Sequence, residues 1–257
     1  MKLKLISFSL FGSETRYSAG ALKNLELQKA IYPDWTCRFY ISQEISNNLI
    51  SELSGRGAEI VKKTRTDLID GMFWRFLPAS DQNIDALIVR DTDSRLNTRE
   101  KSAVDEWLAS GSGFHIIRDH PHHTTLIPGG LWGCRKGMIP NMEALITHWK
   151  HFEKRGRDQE FLMKRVYPLI VHDLLVHSDL VYYEGEIVKP FPAAREDGEF
   201  VGRIFDEYDT PLDPSESDEL FARYEKITVK ALPVPDSSLL PRLKNKLFRI
   251  SQKYLRK

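Results

Sequence analysis

Cysteine is scarce in this chain. Cys37 and Cys134 are the two among 257 residues. They exclude a disulfide framework, neither stands in a C-x-x-C pair of the metal-holding kind, and a reducing compartment fits. Long apolar runs are missing too, with none near the roughly 20 residues that cross a bilayer. The stretch from Met1 to Leu10 has two lysines and a brief apolar run. It lacks an export signal's h-region and small-residue cleavage site, so it reads as a strand and the expected location is the cytoplasm. No charge sign is in excess: 37 Lys and Arg against 36 Asp and Glu leave +1, so no chain-wide field points to nucleic acid. Internal repeats are absent as well. With 41% hydrophobic and 28% charged residues, the chain is ordinary globular material with length enough for a sizeable core.

Strand and helix signals alternate along the chain. Leu3 to Leu10 reads as a strand broken by Gly12-Ser13, and Ala21 to Ile31 as a helix stopped by Tyr32-Pro33. Cys37 to Ile41 is a second strand, Ile45 to Leu53 a helix ended by Gly55, and Ala58 to Val61 a third strand. A helix over Asp70 to Ala79 leads to a strand at Ala86 to Val89, then a helix from Thr98 to Leu108 and a strand at Phe114 to Ile117. Leu131 to Cys134 is a short apolar segment, and Met142 to Phe152 and Asp158 to Val166 read as helices. Ile204 to Glu219 is acidic, contains proline and reads mostly as loop. This order implies an α/β fold with a parallel-dominated sheet.

Asp91-Thr92-Asp93 follows directly on the apolar strand Ala86 to Val89. Side chains alternate with a period of two in extended chain, so both carboxylates fall on one side. Paired carboxylates are hard ligands for Mg²⁺ or Mn²⁺, ions that also take phosphate oxygens. The bland reading is a polar turn after a strand. In an open α/β sheet, however, strand carboxyl ends near a switch point are where ligands bind. Arg90 and Arg95 flank the pair, either to meet phosphates or to neutralise the two acids.

With these motifs in this order, the chain resembles a Rossmann-like GT-A glycosyltransferase. It lies nearest to the family that includes glycogenin and the bacterial lipopolysaccharide galactosyltransferases. The resemblance spans roughly Met1 to Phe191 at low identity and rests on short motifs. It implies that Asp91 and Asp93 hold the metal and that the donor is a nucleotide-diphosphate sugar. Arg75, in Phe73-Trp74-Arg75-Phe76-Leu77, would contact the donor, with Arg90 beside it. Gly129 and Gly130, in Ile127 to Gly133, would line the donor sugar pocket, though the family's Phe-Asn lead-in is absent. Trp132 would stack on a sugar ring.

Asp158-Gln159 resembles the family's pair beside the anomeric carbon, the Asp binding sugar hydroxyls and the Gln near the reacting face. The implied outcome is retention. Asp158 also suits a helix start as an acid favoured by the dipole. His177 would be the third metal ligand, with His172 as its rival. Lys189, in Lys189-Pro190-Phe191, would bind the diphosphate, Phe replacing the family's Trp.

Two segments stand outside these motifs. Arg118-Asp119-His120-Pro121-His122-His123 offers three histidines and an aspartate, a zinc or iron set by type. Pro121 and the lack of helical His spacing make it a loop instead, either lining the mouth of the site or polar surface. From Leu240 to Lys257 there are seven Lys or Arg and no acid, with Leu240, Leu243, Leu247, Ile250 and Tyr254 on one helical face. That is a basic amphipathic helix, docked on a membrane surface or a partner, or packed on the domain. We therefore expect a catalytic domain over 1–235 and a tail over 236–257. The expected activity is sugar transfer to a glycan or glycolipid acceptor in surface polysaccharide synthesis.

Other classes fit less well. A phosphatase of the haloacid dehalogenase type also uses D-x-D after a strand, but favours Thr or Val where Arg95 stands. A sugar-nucleotide pyrophosphorylase opens on a Gly-rich loop, which Ser9 to Ser13 does not supply. A binding or scaffold protein of the same fold is the non-catalytic alternative.

Overall fold

The computed structural model describes residues 3–64, 70–149, 157–196, 199–212, 219–221, 223 and 231–235. The expected C-terminal helix, in 236–257, lies outside the described residues. Strands β1 (Leu3–Leu10), β2 (Thr36–Ser42), β3 (Glu59–Lys63), β4 (Ile84–Val89), β5 (Phe114–Arg118), β6 (Trp132–Arg135), β7 (Leu174–Ser178) and β8 (Ile187–Lys189) form one sheet. Its order is β3-β2-β1-β4-β6-β5-β7-β8. β6 runs antiparallel between β4 and β5, and every other pairing is parallel. The expected α/β fold, a mixed and mostly parallel sheet flanked by helices, is what the chain forms.

The helices, in chain order, are α1 (Thr15–Ile31), α2 (Asn47–Gly55), α3 (Gly71–Trp74), α4 (Thr98–Ser110), α5 (Met142–Thr147), α6 (Arg157–Phe161) and α7 (Tyr167–Ile170). The expected helix over Asp70 to Ala79 is instead α3 followed by a 3₁₀ turn, Leu77–Ser80, because Pro78 removes a backbone donor. A π-turn, Leu162–Val166, joins α6 to α7. Among the described residues no helix is long and apolar enough to cross a membrane.

Two cores follow from the strand period. In β1, Ile6, Phe8 and Leu10 pack with Ala21 and Leu25 of α1 and with Val104 and Trp107 of α4. Leu5, one position before Ile6, points to the opposite face with Phe73, Phe76 and Phe161. β4 repeats the rule: Ala86 and Ile88 join the α1/α4 core, Leu87 and Val89 the other. Continuing that alternation past Val89 sends Arg90 to the α4 face and Asp91 to the α3 face. The sheet order grows in opposite directions from β1 and β4, so the chain that leaves β4 enters a switch-point crevice.

Candidate active site

Asp91 leaves β4 on the α3 side and meets Arg75, which follows α3 directly. Arg75 Nη1 donates to Asp91 Oδ1, and Nη2 to Asp158 Oδ2 at 3.0 Å. The Arg75 backbone N–H donates to Ser9 Oγ at the end of β1, 3.0 Å away, fixing the guanidinium's starting point. Arg75 and Asp158 are both buried. The two glycines of the 128–130 turn complete the arrangement. A Cβ on Gly130 would overlap Asp91 Oδ2, and one on Gly129 would stand 2.5 Å from Asp158 Oδ2. Glycine is thus required at both, because any side chain would displace a carboxylate.

Asp93 and Asp158 are perturbed in one direction. Burial, reinforced by the charge of Asp91, pushes Asp93 up to about 6. Burial also raises Asp158, with Arg75 pulling the other way. A carboxyl raised by burial and a neighbouring like charge marks a candidate functional site. Among the described residues there is no group of three or more His, Cys, Asp or Glu placed to hold a metal ion. The Asp pair is a two-carboxylate set, which is how Mg²⁺ is commonly held beside substrate phosphates.

Arg75, Asp91, Asp93, Gly129, Gly130 and Asp158 therefore converge, and Gln159 adjoins Asp158 in the chain. Four other expectations need correction. Arg90 is buried on the far face, its Nε 2.8 Å from Glu100 Oε1 and its Nη1 on the Val89 and Trp132 carbonyls. The strand alternation that brings Asp91 to the α3 face turns Arg90 away, so it is an interior ion pair and not a donor contact. Residues 92 and 93 form a turn, so Asp93 comes to Asp91 through that turn and not by the expected alternation of an extended chain. Trp132 is fully buried, stacked on Phe114 at 5.3 Å and tilted against Phe76 at 5.5 Å. It fills the core and has no face for a sugar.

His177 and Lys189 sit three and four strands from β4, about 14 and 19 Å at the usual strand spacing. His177 is buried on the α4 face, Nδ1 2.8 Å from His115 Nε2 and Nε2 3.1 Å from Glu106 Oε2. Lys189 Nζ is 2.6 Å from Glu106 Oε1. These residues form a chain along the outer strands and α4, apart from Asp91. His172 brings no third ligand either, since it lies between α7 and β7 at the far end of those strands.

The histidine loop turns His120 inward and leaves His122 exposed. His120 packs 4.4 Å from the Phe200 ring and 5.2 Å from Phe221, and His123 Nδ1 accepts from the Asp119 N–H at 3.1 Å. Burial holds both imidazoles down to about 3, hence neutral. Asp119 is the ionic hub, taking two bonds from Arg99 at 2.9 Å, one from Arg195 at 2.7 Å and the Val201 N–H at 2.9 Å.

Several residues at the site had no expectation attached. Arg16 and Tyr17, in the first turn of α1, lie within electrostatic reach of Asp93. Arg16 Nη2 donates to the Tyr17 hydroxyl at 2.9 Å. Asn24 bonds the backbone of the 92–96 turn, and Phe205 N donates to Asp93 O at 2.9 Å. A signal for the α1 residues is present: Gly20, Asn24 and Gln28 recur every four positions on the helix face that also carries Ala21 and Leu25. A small or polar stripe on a buried face must meet backbone.

No family model and no curated protein matches the sequence. Among solved structures the chain is similar to a glycosyltransferase involved in glycosylation of the major capsid of PBCV-1, at 15% identity and TM-score 0.47, over 70% of this chain and 82% of that one. It is similar to the mannosyltransferase PcManGT of Pyrobaculum calidifontis, in complex with GDP-Man and Mn²⁺, at 12% identity and TM-score 0.47, over 99% and 70%. It is also similar to a cytidylyltransferase from Leptospira borgpetersenii serovar Hardjo-bovis, at 14% identity and TM-score 0.43, over 96% of both chains. Likenesses at these values carry no argument about activity.

Proposed function

We propose that this protein is a metal-dependent glycosyltransferase that moves a sugar from a nucleotide-diphosphate donor to a glycan or glycolipid acceptor, in the cytoplasm and for surface polysaccharide synthesis. One observation carries the reading. Arg75 is buried between Asp91 and Asp158 at the strand end where the sheet order reverses, with glycine opposite each carboxylate. A turn that merely caps a strand needs neither the bridging arginine nor the glycines.

The residues fit Mn²⁺ or Mg²⁺: two hard carboxylates, one of them forced up to about 6 by burial and its neighbour's charge, are relieved by a cation. Such an ion, when bound, supplies Lewis-acid neutralisation of the departing diphosphate. Arg75 offers the planar fork that suits phosphate and would pass from Asp91 to the donor. Asp158, buried and anchored by Arg75, would accept bonds from hydroxyls of the transferred sugar, with Gln159 next to it. Gly129 and Gly130 would let that sugar lie close to backbone. In this proposal transfer retains the anomeric configuration.

A thermal-shift panel of UDP-, GDP-, CMP- and dTDP-sugars, with and without Mn²⁺, tests the reading on wild type and Asp91→Asn. The expected result is a rise in melting temperature that needs nucleotide and metal together and disappears in the variant. Absence of any response with metal present would favour a scaffold protein.

A further inference from the structure

The turn that carries the two carboxylates is held by its carbonyls. Asp91 O accepts from Ser94 Oγ at 2.9 Å, and Asp93 O from the Phe205 N–H at 2.9 Å. Thr92 O and Ser94 O both accept from Asn24 Nδ2, at 3.2 and 2.8 Å. Asn24 Oδ1 in turn accepts from the Leu96 N–H at 3.0 Å. One buried side chain in the middle of α1 thus satisfies three backbone groups of the turn. One helical turn earlier, Gly20 brings α1 against the same segment so closely that a Cβ would overlap Thr92 O.

We infer that Asn24 is the positioning residue of the carboxylate turn: its amide fixes the 92–96 backbone so that Asp91 and Asp93 address one cation and its phosphate. The inference rests on the glycosyltransferase reading and names a residue that reading does not contain. The chemistry is specific to asparagine. Two N–H donors and one acceptor on a short stem match two carbonyls and one N–H. Aspartate has the same shape but no N–H, so an oxygen would face the two carbonyls and the turn would have to move. Serine keeps one bond at most.

Gln28 provides the comparison within the same helix. Its Nε2 donates to Tyr32 O at 2.9 Å and Trp35 O at 2.7 Å, the same kind of backbone bond at a place remote from Asp91. Loss of Gln28 perturbs α1 without touching the turn.

The test dialyses full-length protein to equilibrium against Mn²⁺ and inorganic pyrophosphate, a probe free of base and sugar, and measures the Mn²⁺ retained with the protein beyond that in the protein-free Mn²⁺–pyrophosphate solution. Wild type, Asn24→Asp, Asn24→Ser and Gln28→Ala are compared at a temperature where circular dichroism shows each folded. The expected result is a loss of about tenfold or more in affinity for Asn24→Asp, the size seen when a residue supporting metal ligands is removed. Asn24→Ser should fall between, and Gln28→Ala should bind as wild type although it melts earlier. Asn24→Asp and Asn24→Ser binding like wild type, or Gln28→Ala losing affinity equally, would overturn the assignment. Wild type that binds no Mn²⁺ with pyrophosphate would instead overturn the glycosyltransferase reading, and the inference with it.

Discussion

Asp93 shows how a single residue can be costly to the fold and useful to the site. Its ordinary value is 3.8, and burial with the Asp91 charge raises it to about 6. Between those values the native state holds a proton that the unfolded chain has lost. Stability therefore falls as pH rises from about 4 to about 6, and the penalty is complete above that. Asp93→Asn should remove a penalty of about 3 kcal/mol at pH 7.5 and well under 1 kcal/mol at pH 4. Urea unfolding at the two pH values measures this, and equal stability of variant and wild type at pH 7.5 would contradict it. Mn²⁺ binding by wild type should weaken below about pH 6 for the same reason, since protons and metal compete. At this scale strand alternation made the face of Asp91 legible, whereas Asp93 joins it through a turn at 92–93 that alternation does not describe. The same alternation places Arg90 on the other face, where it pairs with Glu100.

Among the elements, the ones with strong local signals were legible. β1 spans the expected Leu3 to Leu10, and α4 begins where Asn97 caps it through the Glu100 N–H at 2.8 Å. β7 and β8 had no expectation. They are five and three residues long, and His177 and Lys189 interrupt the apolar pattern that marks a strand. The resemblance carried His177 and Lys189 to the donor site, and no strand signal spoke against it, whereas both side chains meet Glu106 of α4. β6 was legible as an apolar segment, but its antiparallel pairing with β4 and β5, which buries Trp132, depends on contacts remote in sequence. The Asp119 hub is likewise a tertiary product, joining β5, α4 and the 195–201 segment. Asp119→Ala leaves Arg99 and Arg195 without their shared acid, and should cost about 3–5 kcal/mol, the loss typical of a broken buried ion cluster. Chemical denaturation checks the figure, and a loss below about 1 kcal/mol would show the hub to be solvated.

For the whole molecule, the order of alternating strands and helices announced the α/β class, and the switch point between β1 and β4 gives the D-x-D turn its setting. The convergence of Arg75, Asp91 and Asp158 draws on three segments up to 83 positions apart. It was accessible from sequence only through motif order. The clamp on the 92–96 turn, from α1 on one side and Phe205 on the other, had no motif to announce it. In the proposed reaction everything turns on the Asp91–Asp93 pair holding a divalent cation beside a diphosphate. An anomalous-difference map at the manganese edge, from crystals grown with Mn²⁺ and a nucleoside diphosphate, tests this. The expected result is one strong peak about 2.1 Å from carboxylate oxygens of Asp91 and Asp93, with Arg75 turned toward the phosphates. A peak at the His120–His123 loop, or density for the nucleotide away from β4, would contradict it.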